Sequence, residues 1–193
     1  MAVVLYLFVV QGLLGAADTL YYHEYRAHLP AGGAQTRPEL YLHAARDFIY
    51  AILFSTLPWM EWRGALAWVL LLLLLAEVTI TLADFVVEDA VRRPLGGVYP
   101  GERVMHTVMA ILYGAILGRL LPVVWGWSRS PTEWLYWPAA VPPGVAGVMG
   151  LMSVGVFLSG FRDLLCAWGF RQAAWPWRDL PPWDREAGPG QDP

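Results

Sequence analysis

Apolar residues run along this chain in five long blocks, separated by short stretches rich in polar, proline or aromatic residues. The blocks cover roughly residues 2–22, 40–60, 65–87, 103–125 and 145–169. The third, ALAWVLLLLLLAEVTITLADFVV from Ala65 to Val87, has the length that crosses a hydrocarbon core, about 20 helical residues. Blocks this long predict helices, because in lipid every backbone N–H and C=O needs a partner within its own segment. The pattern therefore predicts an all-α integral membrane protein: a four-helix transmembrane bundle plus a fifth transmembrane helix. One polytopic domain spans 1–170, and a Trp/Pro-rich tail covers 171–193.

Polar residues interrupt these blocks in a repeated order. ELYLHAARDFIYAIL from Glu39 and ERVMHTVMAILYGAIL from Glu102 both read Glu, three residues, His, six residues, Tyr, then a small residue and an aliphatic run. The echo extends upstream. QGLLGAAD ends at Asp18 and EVTITLAD ends at Asp84, each with a polar residue seven positions before its Asp. Each half thus reads as a hydrophobic helix ending near an Asp, a polar loop, and a helix opening with Glu-x-x-x-His. This predicts two duplicated helical hairpins, about 1–60 and 64–125, related by a pseudo-twofold axis along the membrane normal, with an added helix at about 145–169.

Alternating spans place the inner ends of the first and third helices level with the inner starts of the second and fourth. Asp18, Glu39, His43, Asp84, Glu102 and His106 then share one depth. Residues i and i+4 lie on one helix face, so each Glu–His pair points the same way. Ionisable groups within a membrane are costly and mark function. Four clustered carboxylates repel one another unless protons or cations offset them. Two divalent ions would do so, with two imidazoles completing the donor set. Oxygen and nitrogen donors without sulfur suit iron, manganese or zinc. In this logic the six residues resemble the sites of di-iron carboxylate four-helix bundles, where two helices give one Glu each and two give Glu-x-x-His. Here Asp takes the lone-carboxylate role and the pair is spaced i, i+4. The resemblance implies two metal ions, iron first, held by Asp18, Glu39, His43, Asp84, Glu102 and His106.

Further polar residues frame this set. Glu88 lies one turn beyond Asp84 and would add a fifth carboxylate. His23 and Glu24 close the first span, and Glu88 or His23 would bridge metals or shuttle protons. His23 and His28 in HEYRAH stand five apart, about 140° on an α-helix, which suits a fraying end better than a ligand pair. Asp47, a turn past His43, would orient its ring. Arg46 and Glu77 would form a buried pair, and Arg162 a local one with Asp163. Tyr50 and Tyr113, two turns beyond each His, would hydrogen-bond ligands or carry electrons, with plain packing the alternative. Gly147, Gly150, Gly155 and Gly160 favour close helix contact in the last span.

Composition narrows the reading. The chain is 57% hydrophobic, with 11 Trp and a single cysteine, Cys166, which excludes an internal disulfide and a Cys-based metal cluster within one chain. Four histidines are too few for His-box membrane oxygenases. All 13 basic residues are Arg, and an N-outside topology puts only Arg63, Arg119 and Arg129 near the outer side. The C-terminus is then cytoplasmic. The first block lacks a basic segment before it, which argues against a cleaved signal peptide. The absence of Lys, with abundant Ala, Gly, Arg, Pro and Trp, fits a GC-rich bacterial genome and so a bacterial inner membrane. No basic stripe points to nucleic acid. The outer loop VVWGWSRSPTEWLYWP is aromatic, as at a lipid interface, and Trp175, Trp177 and Trp183 would lay the tail on the inner interface before it becomes disordered.

The leading expectation is a membrane oxidoreductase with a dinuclear non-haem site, acting on a lipidic substrate or quinone that enters from the bilayer, alone, with a redox partner or as a homo-oligomer. The alternatives are a dizinc lipid hydrolase using metal-bound water, a b-haem protein with His43 and His106 as axial ligands, a metal transport or sensing subunit, and a non-catalytic assembly subunit.

Overall fold

The computed structural model describes residues 1–136 and 141–180. Its elements are α1 (Ala2–Asp18), α2 (Arg37–Thr56), β1 (Met60–Trp62), α3 (Ala65–Arg92), α4 (Pro100–Ser128), β2 (Trp134–Tyr136) and α5 (Pro143–Ala167). α1 does not stop at Asp18; it continues as a π-helical segment, Thr19–Arg26, so that one rod runs from Ala2 to Arg26. Four helices are long and apolar enough to cross a membrane: Ala2–Arg26, Ala65–Arg92, Pro100–Ser128 and Gly144–Ala167. The chain is therefore a multi-pass, all-α membrane bundle. α2 has 20 residues, but Arg37, Glu39, Arg46 and Asp47 make it too polar to join that set on composition.

Following the closest contacts from helix to helix gives the order α1, α4, α3, α2, α5 and back to α1. α5 is thus not an appendage; it wedges between α2 and α1. Its tightest approach is at Gly160, where a Cβ would lie 2.7 Å from the Asp47 Cβ and 3.2 Å from the Ala44 carbonyl oxygen. Ser153 also donates to the Ala51 carbonyl of α2 at 2.9 Å. The other glycines of that expected stripe behave differently. Gly147, Gly150 and Gly155 face open space, with nothing within 4 Å of a Cβ. Only one of the four serves close packing, because a single stripe of α5 can face α2.

The bundle has two unlike ends. At the end holding the starts of α1, α3 and α5, the core is apolar and fully buried: Leu5, Phe8, Leu53, Leu70, Ile116 and Leu120. Between lipid-facing helices such packing is held by dispersion rather than by release of water. Here the two loops are joined by a small antiparallel ribbon in which Met60 pairs with Tyr136, Glu61 with Leu135 and Trp62 with Trp134. Arg63 closes it with bonds to Glu61 at 2.7 Å and Glu133 at 3.0 Å. Gly64 makes the sharp turn into α3 at φ 59°, a left-handed value that favours glycine.

At the other end, residues up to Leu180 fold back over the bundle. Arg162 donates to Glu24 and to the carbonyls of Ala173 and Trp175, both at 2.9 Å, so the expected local pair with Asp163 does not form. Trp177 donates its indole N–H to Glu24 at 3.1 Å and packs on the His28 ring, 4.3 Å between centroids. Trp175 stays exposed. Trp183 and the rest of the expected disordered tail, 181–193, lie outside the described residues.

Candidate metal centre

Each helix brings its polar residues to the polar end on a buried stripe. On α3 these are Glu77, Asp84, Glu88 and Arg92, spaced by seven, four and four, which is one face of a helix. α2 presents Glu39, His43 and Tyr50; α4 presents Glu102, His106 and Tyr113; α1 presents Gln11 and Asp18. The polar face is the buried one, as in a membrane bundle with lipid around it. Both Glu–His helices open with a proline, Pro38 and Pro100, which presets the first turn. Glu39 and Glu102 sit in those first turns, where the helix dipole favours a carboxylate. Glu102 also caps α4, its Oε2 accepting the Tyr99 backbone N–H at 3.4 Å while Oε1 points inward.

The six residues expected to act together do converge. Asp18, Glu39, His43, Asp84, Glu102 and His106 are all buried, with His23, Glu88, Arg92 and Asp163 beside them. The pairing crosses between the two halves of the chain. His106 of α4 meets Asp18 of α1, Nε2 to Oδ2 at 3.1 Å, and His43 of α2 meets Asp84 of α3, Nε2 to Oδ2 at 3.4 Å. His23 stands between them. Its Nε2 lies 3.4 Å from Asp18 Oδ2 and 3.1 Å from Glu102 Oε1. Its ring stacks on His43, with centroids 4.6 Å apart and planes 9° from parallel, and meets His106 edge-on. The other ring nitrogen of His106 lies 3.4 Å from Glu88 Oε2, and Phe85 covers that ring.

His23 is the residue whose place the sequence conceals. On an α-helix it would stand about 140° from Asp18. The π-helical turn, hydrogen-bonded i to i+5, returns residue 23 to the face of residue 18. Asp18–His23 across the π-helix thus corresponds to Asp84–Glu88 across an α-helical turn. Its partner in the HEYRAH motif, His28, points away to Trp177. Glu24, paired with Arg162 and Trp177, also lies outside the cluster.

Arg92, unlike His23, is absent from the residues expected at the site. Fully buried, it grips Glu39 through Nε at 3.1 Å to each oxygen and Nη2 at 2.7 Å, and lies 3.4 Å from Glu102. Its signal is the spacing: Arg92 continues the Glu77–Asp84–Glu88 stripe by one more turn, whereas the exposed Arg93 steps 100° off it. Two expected partners also change. Arg46 pairs with Asp84 at 3.2 Å instead of Glu77. The ring nitrogen Nδ1 of His43 faces Asp163 of α5 at 3.9 Å, whereas Asp47 packs against Gly160. α5 thereby joins the cluster. Asp84 is held by Arg46 and His43 through one oxygen, Oδ2.

A second polar layer lies deeper. Gln11 donates to the Tyr50 hydroxyl at 3.4 Å, Tyr50 donates to Glu77 at 3.2 Å, and Thr81 donates to the same Glu77 oxygen at 3.1 Å. Tyr113 packs 6.3 Å from Tyr50 with its hydroxyl unpaired. Neither tyrosine touches the imidazoles directly.

The donors are oxygen and nitrogen atoms of types that metal ions take, and some lie close enough together to share one. Three triads bring their ligand atoms within 4.8 Å of one another: Asp18–His23–His106, His23–Glu39–His43 and Glu88–Glu102–His106. Several of these atoms are buried without a hydrogen-bond partner, among them Nε2 of His23 and His43, Nδ1 of His106, Oδ1 of Asp18, Oε2 of Glu88 and Oε1 of Glu102. Each such atom costs about 1–3 kcal/mol if nothing meets it. No family model, no curated protein and no solved structure matches the chain.

Proposed function

We propose that this chain is an integral membrane metalloprotein with a dinuclear non-haem centre, iron first and zinc or manganese next, working as an oxidoreductase on a lipidic substrate or quinone. The observation that carries the reading is the set of buried imidazole nitrogens and carboxylate oxygens that converge to 3.1–3.4 Å, several of them without a well-aligned hydrogen bond and only His106 and Asp18 sharing one. Five carboxylates, Asp18, Glu39, Asp84, Glu88 and Glu102, face the guanidinium groups of Arg92 and Arg46, which leaves an excess of negative charge in a medium that tolerates little. Protonating all three imidazoles would offset it, but His23 and His43 stack face to face, an arrangement that two cations resist. Metal ions offset the charge without that repulsion.

Asp18, His23, His106, Glu88 and Glu102 would hold one ion, and Glu39 and His43 with His23 the approach to a second. Bound there, the ions would supply Lewis-acid and one-electron redox chemistry. The chain's own contribution is positional. Asp163 steadies the His43 ring, Arg46 fixes Asp84, Phe85 covers His106, and the apolar end of the bundle keeps water from the far side. His23 meets both His43 and His106, which leaves no slot for a porphyrin between them and ranks haem below a non-haem centre.

The duplication belongs to this proposal. The equivalent contacts α1 with α4 and α3 with α2, the crossed His–Asp pairs, and a π-helix that accommodates one extra residue all support twinned hairpins with α5 inserted. α2 is the fifth span in this reading, since its Glu39 and Arg46 are paired inside the protein rather than facing lipid. Arginines gathered at the polar end support an N-outside, C-inside chain in a bacterial inner membrane.

A second reading, an ion-paired structural core without metal, is favoured by the bidentate Arg92–Glu39 bond. Elemental analysis of the purified full chain separates the two. The proposal expects about two metal ions per chain, falling below one in His23→Ala and His106→Ala, with no Soret band. Metal at trace level in wild-type protein that unfolds as cooperatively after chelation as before refutes it.

A further inference from the structure

A cleft of about 340 Å³ opens between α3 and α4 beside the centre. Its walls are Phe85, Glu88 and Asp89 on one side, and Arg103, His106 and Thr107 on the other. Glu88 and His106 are both more than nine-tenths buried and both line this cleft, with Glu88 Oε2 and His106 Nδ1 3.4 Å apart and neither in a well-formed hydrogen bond. The cleft is therefore an approach that brings a small molecule beside Glu88 and His106.

Its surroundings describe what it admits. At the mouth, Arg93 and Arg103 share a single carboxylate, Asp89, at 3.7 and 3.9 Å, so one positive charge has no counterpart. Away from the mouth the α4 wall becomes apolar and shallow. Positions 103, 107, 110, 114 and 118 follow one face, and above Thr107 they are Ala110, Gly114 and Gly118. A Cβ at either glycine would meet nothing within 4 Å. The same face reaches Trp125, which meets Trp68 of α3 at 6.4 Å, so an open strip of small residues runs beside the α3–α4 seam.

We infer that the α3–α4 cleft is a lateral port for a single-chain anionic amphiphile, such as a long-chain carboxylate, with its headgroup at Arg103, its first carbons between Phe85 and Thr107 beside His106, and its tail along Ala110, Gly114 and Gly118. This names the substrate class of the proposed centre and rests on that reading for its chemistry, but not for its binding.

The test uses the full chain in phosphatidylcholine nanodiscs and long-chain fatty acids carrying a photoactivatable diazirine either next to the carboxylate or near the methyl end. Mapping by mass spectrometry is expected to place the head-proximal label on residues 85–107 of α3 and α4, and the tail label around 110–118, well above labelling of the exposed α5 residues Leu151, Val154 and Leu158. Arg103→Gln is expected to weaken head-proximal labelling about two- to fivefold, the range for a partly exposed charge. Gly114→Leu, which has room for its side chain, is expected to displace the tail label. Equal labelling of α5 and the α3–α4 seam, or equal labelling by the methyl ester, overturns the inference. Metal content is measured on the same samples: labelling at the seam without metal keeps the port and removes the metal centre, and metal without seam labelling does the reverse.

Discussion

Replacing Arg92 by Met tests whether the cluster's charge is balanced as described. Arg92 is 1% exposed and makes three bonds to Glu39, at 2.7 to 3.1 Å, with Glu102 at 3.4 Å. Methionine fills most of the volume but leaves the Glu39 carboxylate buried and unpaired. Breaking a buried pair from one side costs about 3–5 kcal/mol, chiefly as the cost of the stranded charge. That corresponds to a shift of two to more than three decades in the folding equilibrium. Arg92→Lys keeps the charge but loses the fork that matches a carboxylate, so it is expected to fall between the two. The double variant Arg92→Met with Glu39→Gln removes both charges and is expected to regain at least half of the loss. Reversible unfolding of the full chain in mixed micelles, titrated with SDS and followed by far-ultraviolet circular dichroism, measures all four proteins. If Arg92→Met stays within about 0.5 kcal/mol of wild type, the size of an ordinary surface change, then something other than Arg92 offsets Glu39, and the ion-pair reasoning fails.

Three further outcomes follow from the packing. Deleting the lipid-facing Leu20 shortens Asp18–His23 to the four-residue spacing of an α-helix and is expected to preserve metal content and helicity, whereas deleting Leu13, also exposed, rotates the rest of α1 by about 100° and is expected to abolish the site; equal damage from both would discredit the π-helical account. Gly160→Leu is expected to cost about 1–3 kcal/mol by overpacking against Asp47 and Ala44, while Gly155→Leu stays within about 0.5 kcal/mol in the same unfolding titration. Burial against Trp177 lowers the pKa of His28 below its ordinary 6.5, although Glu24 pulls the other way. A histidine depressed in the folded state contributes stability above that ordinary value and loses it as pH falls through the folded one. Protection of residues 171–180 from limited proteolysis should therefore weaken as pH falls below about 6.5 and become independent of pH in His28→Gln.

The helices and the gathering of six acid and imidazole groups were legible in the sequence because both follow from local rules. Length and hydropathy set four spans, and the repeat of Glu-x-x-x-His and Asp at matched depth assigned Asp18, Glu39, His43, Asp84, Glu102 and His106 to one level. What the sequence could not carry were facts about direction around a helix and about which helix sits next to which. The π-helical turn changes the angle between Asp18 and His23 without leaving a residue-type signature, so the sequence nominates His23 but not the geometry that sets it between Asp18 and Glu102. The insertion of α5 between α1 and α2 gives His43 the carboxylate of Asp163 in place of that of Asp47. Arg92 and Arg93 are neighbours of identical chemistry, yet one is sealed inside against Glu39 and the other is exposed. A 100° step around the helix separates those two fates; the spacing from Asp84 and Glu88 already turns Arg92 inward, but only the packed neighbours decide that it meets Glu39 of α2.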